Sequence, residues 1–293
     1  AWSALFAARA TGIPLVTTYH GAYRAGTGPK RFYNSVMARG DLVIANSAFT
    51  AAAVRSGHSV GDRLRVIPRG ADFAQFNPLA ISADRIFALR EKWGLVENQV
   101  GRVILLPGRL TDWKGHLVTI EALAGLCAGA GLSPAFQLIF AGDEQGRGEF
   151  AGLLMRRVSE LGLQTMIRWV GHCDDMPAAY ALADIVLSPS TRPEAFGRVV
   201  VEAGAMERIV IAAGHGGACE TIVESKTGFL VEPGSAAALG AAISKVLALS
   251  TTERRAMGAK ARARVIERFS TEAMTTATIN AYQELLIRRG AIQ

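Results

Sequence analysis

Short apolar runs alternate with longer mixed stretches along most of the chain, and that alternation is the first thing the sequence specifies. Residues 14–20, 42–47 and 65–68 read as three strands, each closed by Gly, Ser or Pro. A second series follows at 103–106, 137–141, 167–170, 185–188, 209–212 and 229–231. Helices fill the gaps: 30–39, 48–56 behind a capping Ser47, 83–93, 115–129, 150–161, 177–182 and 236–249, with a helical tail at 252–268 and 271–289. Strand alternating with helix predicts an α/β fold with parallel sheets. The second series makes a complete doubly wound unit, whereas three strands are few for a half that usually holds about six. The chain is therefore expected to start inside its first domain, as an N-terminally truncated piece. Residues 68–78, rich in Pro, Gly and turn formers, predict a linker. The expected domains are 1–82 and 83–270.

Composition narrows the class. Half of the 293 residues are hydrophobic and 19% are charged, as in a globular protein with a large core. Cys127, Cys173 and Cys219 are odd in number and lack Cys-x-x-Cys spacing, which fits reduced thiols in a cytoplasmic protein. The net charge of +7 allows attraction to phosphates or to an anionic membrane. The basic residues are spread out and no nucleic-acid module is recognisable, so nucleic acid is not expected as a partner.

The densest chemistry lies at 191–202, Thr-Arg-Pro-Glu-Ala-Phe-Gly-Arg-Val-Val-Val-Glu. Pro193 and Gly197 punctuate a turn, and a helix is expected to open near Arg198. Glu194 then falls in the loop and Glu202 in the helix's second turn. Gly197 sits at a helix N-terminus, where free N–H groups suit a hydroxyl-rich or phosphorylated ligand. A Glu at such a terminus is favourable by itself. Glu202, however, stands among Val199, Val200, Val201, Ala203, Gly204 and Ala205, and a carboxylate on so apolar a helix needs a partner. A ligand hydroxyl would serve.

A second cluster follows the strand at 103–106. In Pro-Gly-Arg-Leu-Thr-Asp-Trp-Lys-Gly, residues 107–115, Arg109 and Lys114 are flanked by glycines just before a helix. Ligands of such sheets bind at the strands' carboxyl ends, and these two cations could hold a diphosphate, Arg as a fork and Lys as a point charge. Gly146, Gly148 and Ala151 satisfy a G-x-G-x-x-A pattern. They lie too far past their strand for a dinucleotide turn, and a glycine-rich loop bordering the ligand is the preferred account. There is no Asp-x-Asp pair, and His20, His58, His116, His172 and His215 show no metal-ligand spacing.

A Glu, seven residues and a second Glu, with Phe-Gly after the first, resembles the signature of retaining nucleotide-sugar glycosyltransferases of family four. The likeness runs from Thr17-Thr-Tyr-His-Gly21 to Gly228-Phe-Leu-Val-Glu-Pro-Gly234. It implies the GT-B fold: two Rossmann-like doubly wound domains facing a cleft, here with the first incomplete, an acceptor side at 1–82, on which the last helix, about 271–289, packs back, and a nucleotide-sugar donor side at 83–270. It also implies roles. Arg109 and Lys114 would meet the donor diphosphate, His20 and Glu194 would face the sugar, and the amides of Phe196 and Gly197 would hold it. Glu202 would bind the ribose, and His172 would lie near the base. Gly108, Ala195, Arg198 and Val199 would complete the donor site.

The implied reaction moves a sugar from a nucleoside-diphosphate sugar to a glycan or lipid-linked acceptor, without metal or cofactor. Its implied setting is cell-surface polysaccharide or lipopolysaccharide synthesis at the inner face of the membrane. A non-catalytic sugar-nucleotide-binding module and a GT-B epimerase or hydrolase of a nucleotide sugar remain as alternatives.

Overall fold

The computed structural model describes residues 1–21, 28–95, 101–130, 136–146 and 148–290, without the side chains of 129–130. The chain forms two compact units. Residues 1–71, 194–197 and 267–293 make the first, and 72–193 with 198–266 make the second.

The first unit contains α1 (Trp2–Thr11), β1 (Val16–Tyr19), α2 (Gly28–Asn34), β2 (Leu42–Ala45), α3 (Ala48–Gly57) and β3 (Leu64–Val66). The strands form a parallel sheet in the order β1-β2-β3, with Val16 opposite Leu42 and Val43 opposite Leu64. Every residue of β2 is buried, because alternate side chains enter two different cores. Val43 and Ala45 pack with Tyr19, Ala51, Val54 and Leu64. Leu42 and Ile44 pack with Ile67 and with Met274, Ala277, Ala281 and Leu285 of the last helix. Ser47 caps α3, its hydroxyl accepting from the Thr50 amide at 3.0 Å. The single helix expected at 30–39 is instead two pieces. After Asn34 the chain tightens into a 3₁₀ turn, Ser35–Ala38. Ser35 Oγ donates to the Phe32 carbonyl at 2.7 Å, and Thr17 Oγ1 donates to the Met37 carbonyl at 2.6 Å. Such bonds from side chain to backbone compete with the helical ladder.

The second unit runs α4 (Ala83–Lys92), β4 (Arg102–Pro107), α5 (His116–Ala130), β5 (Phe136–Ala141), α6 (Gly148–Glu160), β6 (Ile167–Gly171), α7 (Met176–Leu182), β7 (Ile185–Ser188), α8 (Arg198–Ala205), β8 (Ile209–Ala213), α9 (Ala218–Thr221), β9 (Phe229–Val231), α10 (Ala236–Ala248) and α11 (Thr251–Phe269). The division between the units falls within α11, and α12 (Thr271–Arg288) belongs to the first. Six parallel strands lie in the order β6-β5-β4-β7-β8-β9. On one face Ile104, Leu106, Leu138, Phe140, Ile185, Leu187, Ile209 and Ile211 pack with Ile120 and Leu123 of α5, Leu154 of α6, and Leu239 and Ile243 of α10. Their alternation along each strand places the intervening Leu105, Ile139, Val186 and Val210 on the other face, where they are also buried.

Candidate functional site

The strand order of the second unit fixes where a ligand can bind. Moving outward from the centre, β4, β5 and β6 run one way and β7, β8 and β9 the other, so the order reverses between β4 and β7. At such a switch point the loops after the two strands part and leave a crevice at their carboxyl ends. The two chemically dense stretches follow these two strands, 108–115 after β4 and 189–197 after β7.

Glycines let the first of these loops turn tightly. Gly108 has φ +151°, and the Lys114 stem lies over its α-carbon, 3.5 Å from where a β-carbon would stand. A β-carbon on Gly142, after β5, would fall 2.0 Å from the Gly108 carbonyl oxygen. The Gly108 amide donates to the Ala141 carbonyl at 2.9 Å and the Leu110 amide to that of Asp143 at 2.9 Å. Arg109 is exposed and its Nη1 donates to Gln145 Oε1 at 3.2 Å, so the loop after β5 borders this cation. Lys114 is half-buried with its Nζ 4.7 Å from the Trp113 ring centroid. Of the G-x-G-x-x-A stretch, Gly146 and Gly148 are exposed, and Arg147 lies outside the described residues.

The loops after β4 and β7 are stitched together. The Thr191 amide donates to the Trp113 carbonyl at 2.8 Å, and Arg192 pairs with Asp112 at 2.5 Å. Gly115, at φ +84°, abuts Pro189 so closely that a β-carbon there would lie 2.2 Å from the Pro189 oxygen. His215 Nε2–H donates to the Ser190 carbonyl at 2.7 Å. Such stitches hold loop residues on a rigid scaffold, as a binding loop requires. None of these partners is adjacent in sequence; Thr191, Arg192, Asp112, Trp113 and Gly115 stood in the two stretches singled out from the sequence, but their pairing with one another was not read there.

Glu202 sits in the second turn of α8 and is buried. Its Oε1 accepts from Nε and Nη2 of Arg198 at 3.0 and 2.7 Å, an i to i+4 pair on one helix face. Its Oε2 accepts from the Tyr180 hydroxyl at 3.0 Å. The partner that the apolar helix requires is therefore supplied within the protein. Burial first, then the Glu202 charge and the hydrogen bond to it, push the Tyr180 phenol well above its usual pKa and keep it protonated. The Arg198 pairing could have been found from its four-residue spacing. Tyr180, 22 positions away, carried no local signal.

His116 opens α5 directly behind the 108–115 loop. It is fully buried, edge-on to Phe140 with ring centroids 5.1 Å apart, and neither ring nitrogen has a hydrogen-bond partner among the described residues. Burial foremost, and then the Lys114 charge, lower its pKa from 6.5 to about 4. The backbone oxygens of Gly108 and Thr111 oppose this weakly, from positions outside good hydrogen-bond geometry. The imidazole is neutral at pH 7.

The second unit thus carries Gly108, Arg109 and Lys114 in the loop after β4 and Arg198, Val199 and Glu202 on α8, and the loops after β4 and β7 are bonded to each other. His172 follows β6, an edge strand separated from β4 by β5, where it is exposed and 3.1 Å from Asp174. The rest of the expected site belongs to the first unit. His20 follows β1, exposed, with its carbonyl accepting from Asn46 Nδ2 at 3.2 Å. Glu194 and Ala195 are half-buried, and Phe196 is buried with its ring edge-on to Phe269 at 5.6 Å. Gly197 takes φ +81°, a left-handed value that glycine adopts without steric cost, immediately before α8. Among the described residues no three His, Cys, Asp or Glu side chains gather as metal ligands, and no helix is long and apolar enough to cross a membrane.

Comparison with known proteins gives this arrangement a family. Residues 88–264 match the family model of glycosyl transferases group 1, and residues 1–75 match that of glycosyltransferase family 4. A D-inositol 3-phosphate glycosyltransferase of Salinispora arenicola is 29% identical over 297 residues, covering 95% of this chain and 65% of its own length. The chain therefore spans less than two thirds of that relative. The crystal structure of a glycosyltransferase from Rickettsia africae is similar with a TM-score of 0.88 at 35% identity, covering 97% of this chain and 74% of its own. The Anabaena protein HepE in complex with UDP and glucose gives a TM-score of 0.84 at 27% identity, covering 96% of this chain and 74% of its own. With its two parallel α/β sheets, the chain belongs to the group 1 glycosyl transferases of GT-B fold.

Proposed function

We propose that this chain is the donor-handling body of a retaining glycosyltransferase that moves a sugar from a nucleoside-diphosphate sugar to a glycan or lipid-linked acceptor. One observation carries the reading. The loop bearing Arg109 and Lys114 and the loop leading to the Glu202 helix leave the two strands that flank the switch point, and they are stitched to each other by Thr191, Arg192 and Pro189. Arg109 and Lys114 place two cations where the diphosphate of a donor would lie. Glu202 offers a buried carboxylate to the ribose hydroxyls. Uridine is the base supported first, since a similar structure holds UDP.

In the proposed reaction the bond from the anomeric carbon to the phosphate oxygen breaks. The acceptor oxygen bonds to that carbon on the same face. The departing phosphate oxygen takes the acceptor's proton, and Arg109 and Lys114 meet the charge that develops on the diphosphate. No protein base and no metal ion are assigned a step. His20 and the segment 194–197 are counted with the first unit, so the donor site proposed here stands on residues of the second.

The test is calorimetric titration with UDP, GDP, ADP and inorganic pyrophosphate. Glu202→Gln should weaken whichever nucleoside diphosphate binds, about ten-fold or more, while pyrophosphate affinity holds, because an amide replaces a charge-assisted acceptor. Equal losses for nucleotide and pyrophosphate would remove the ribose role. Inversion at the anomeric carbon of a transferred sugar, read by NMR, would refute retention.

A further inference from the structure

The two oxygens of the Glu202 carboxylate face different surroundings. Oε1 meets the fork of Arg198, whose side chain is 68% exposed, whereas the Glu202 side chain is 9% exposed. Oε2 meets the hydroxyl of Tyr180, which is wholly buried. A phenylalanine would fill the same ring space at position 180. A buried hydroxyl costs free energy unless it is hydrogen-bonded, and here its partner is Glu202. The ring is also fixed in place. It lies 6.0 Å from the Phe76 ring. Its helix, α7, is capped by Asp175, which accepts from the Ala178 amide at 3.0 Å and is itself gripped by the Arg85 fork at 2.5 and 2.6 Å. The hydroxyl is thus held by packing, while the Arg198 guanidinium stands at the end of an exposed side chain.

We infer that Tyr180 is a positioning residue for nucleoside recognition: its hydroxyl anchors Oε2 of Glu202 so that Oε1, the outer oxygen, is turned to the ribose hydroxyls. The inference rests on the ribose role proposed above for Glu202. A carboxylate oxygen accepts more than one hydrogen bond, so a ribose hydroxyl shares Oε1 with Arg198 or takes its place. Without the anchor the carboxylate is held only through Oε1 by Arg198, can turn about its last torsion, and loses the orientation that the ribose reads. The phenol stays protonated through the working pH range, so it donates whether or not nucleotide is bound.

The experiment measures UDP, GDP, ADP and pyrophosphate binding to the wild-type chain, Tyr180→Phe, Glu202→Gln and the double variant. Tyr180→Phe should weaken the nucleoside diphosphate that binds by about ten-fold, as for the loss of one hydrogen bond to a charged group. Pyrophosphate affinity should stay within about two-fold, because its partners Arg109 and Lys114 are untouched. The double variant should bind no more weakly than Glu202→Gln, since the anchor acts through that carboxylate. A merely structural defect would instead lower both ligand affinities. If Tyr180→Phe does not fold, a fluorinated tyrosine at position 180 keeps the shape and strengthens the phenol as a donor, and nucleoside affinity alone should change. A loss in Glu202→Gln with none in Tyr180→Phe, or no response to the fluorinated tyrosine, overturns the inference and leaves the ribose role standing. No loss in Glu202→Gln overturns the ribose role itself.

Discussion

His116 makes a quantitative prediction about acid stability. Its imidazole is buried in the wall of the β4 loop, and its pKa falls from 6.5 to about 4 on folding. Between those two values the unfolded chain binds a proton at this position that the folded chain does not. Stability therefore rises with pH across the window, and it is lost progressively as the pH falls from about 6.5 to about 4. At about 1.36 kcal/mol for each pKa unit, the residue removes about 3 kcal/mol on the way down. His116→Leu deletes the titrating group while keeping an apolar side chain against Phe140. Urea unfolding at pH 7 and at pH 4 should show the wild-type chain losing about 3 kcal/mol more than the variant. Trp169, whose ring lies 4.7 Å from Phe140, reports on the same layer by fluorescence. Glu121 and Asp175, whose pKa values are lowered chiefly by hydrogen bonds from Arg157 and Arg85, also lose stability at low pH. They are common to both proteins and cancel in the difference. Parallel stability curves for wild type and variant would refute the burial argument for this imidazole.

Arg109→Ala and Lys114→Ala should each weaken nucleoside-diphosphate and pyrophosphate binding alike, by about 1.5–3 kcal/mol for a lost charged hydrogen bond; unchanged affinity in both by calorimetry would remove the diphosphate assignment. EDTA should leave donor binding intact, and a strict Mg²⁺ requirement in the same titration would contradict the metal-free reading. Gly115→Ala combines a left-handed backbone with a β-carbon 2.2 Å from the Pro189 oxygen, so it should lower the unfolding midpoint and pull the two loops apart; a thermal melt and nucleotide titration matching wild type would show that the loops yield without cost.

The strands were legible because their burial is written into consecutive residues. β7 and β8 are apolar at nearly every position, as strands covered on both faces must be. The Ser47 cap was legible for the same local reason, since it immediately precedes the helix it caps. Interactions formed across the fold were not. Tyr180 reaches Glu202 over 22 positions and Arg192 reaches Asp112 over 80, and neither spacing has a period that a linear pattern can reveal. His116 was visible as a histidine at a helix start, yet its burial depends on Phe140 in the next strand, 24 positions later. The break after Asn34 depended on Thr17 bonding to the Met37 carbonyl, a tertiary contact that overrides helix propensity. Arg109, Lys114 and Glu202 could be read as a group because a parallel sheet places the loops after its strands at one end, whatever the details of packing.

The discontinuity of the first unit bears on how the chain is made. Leu42, Ile44 and Ile67 are covered by Ala281, Met274 and Leu285, and Arg65 pairs with Glu284, 219 positions later. A ribosome adding about 5–20 residues each second needs roughly 10–40 s to cross that interval. Throughout it, one apolar face of β2 waits for a helix that has not yet been synthesised, while the sequence of the second unit emerges complete. A chaperone that shields nascent chains should therefore dwell on β1–β3 and leave after α12 clears the exit tunnel.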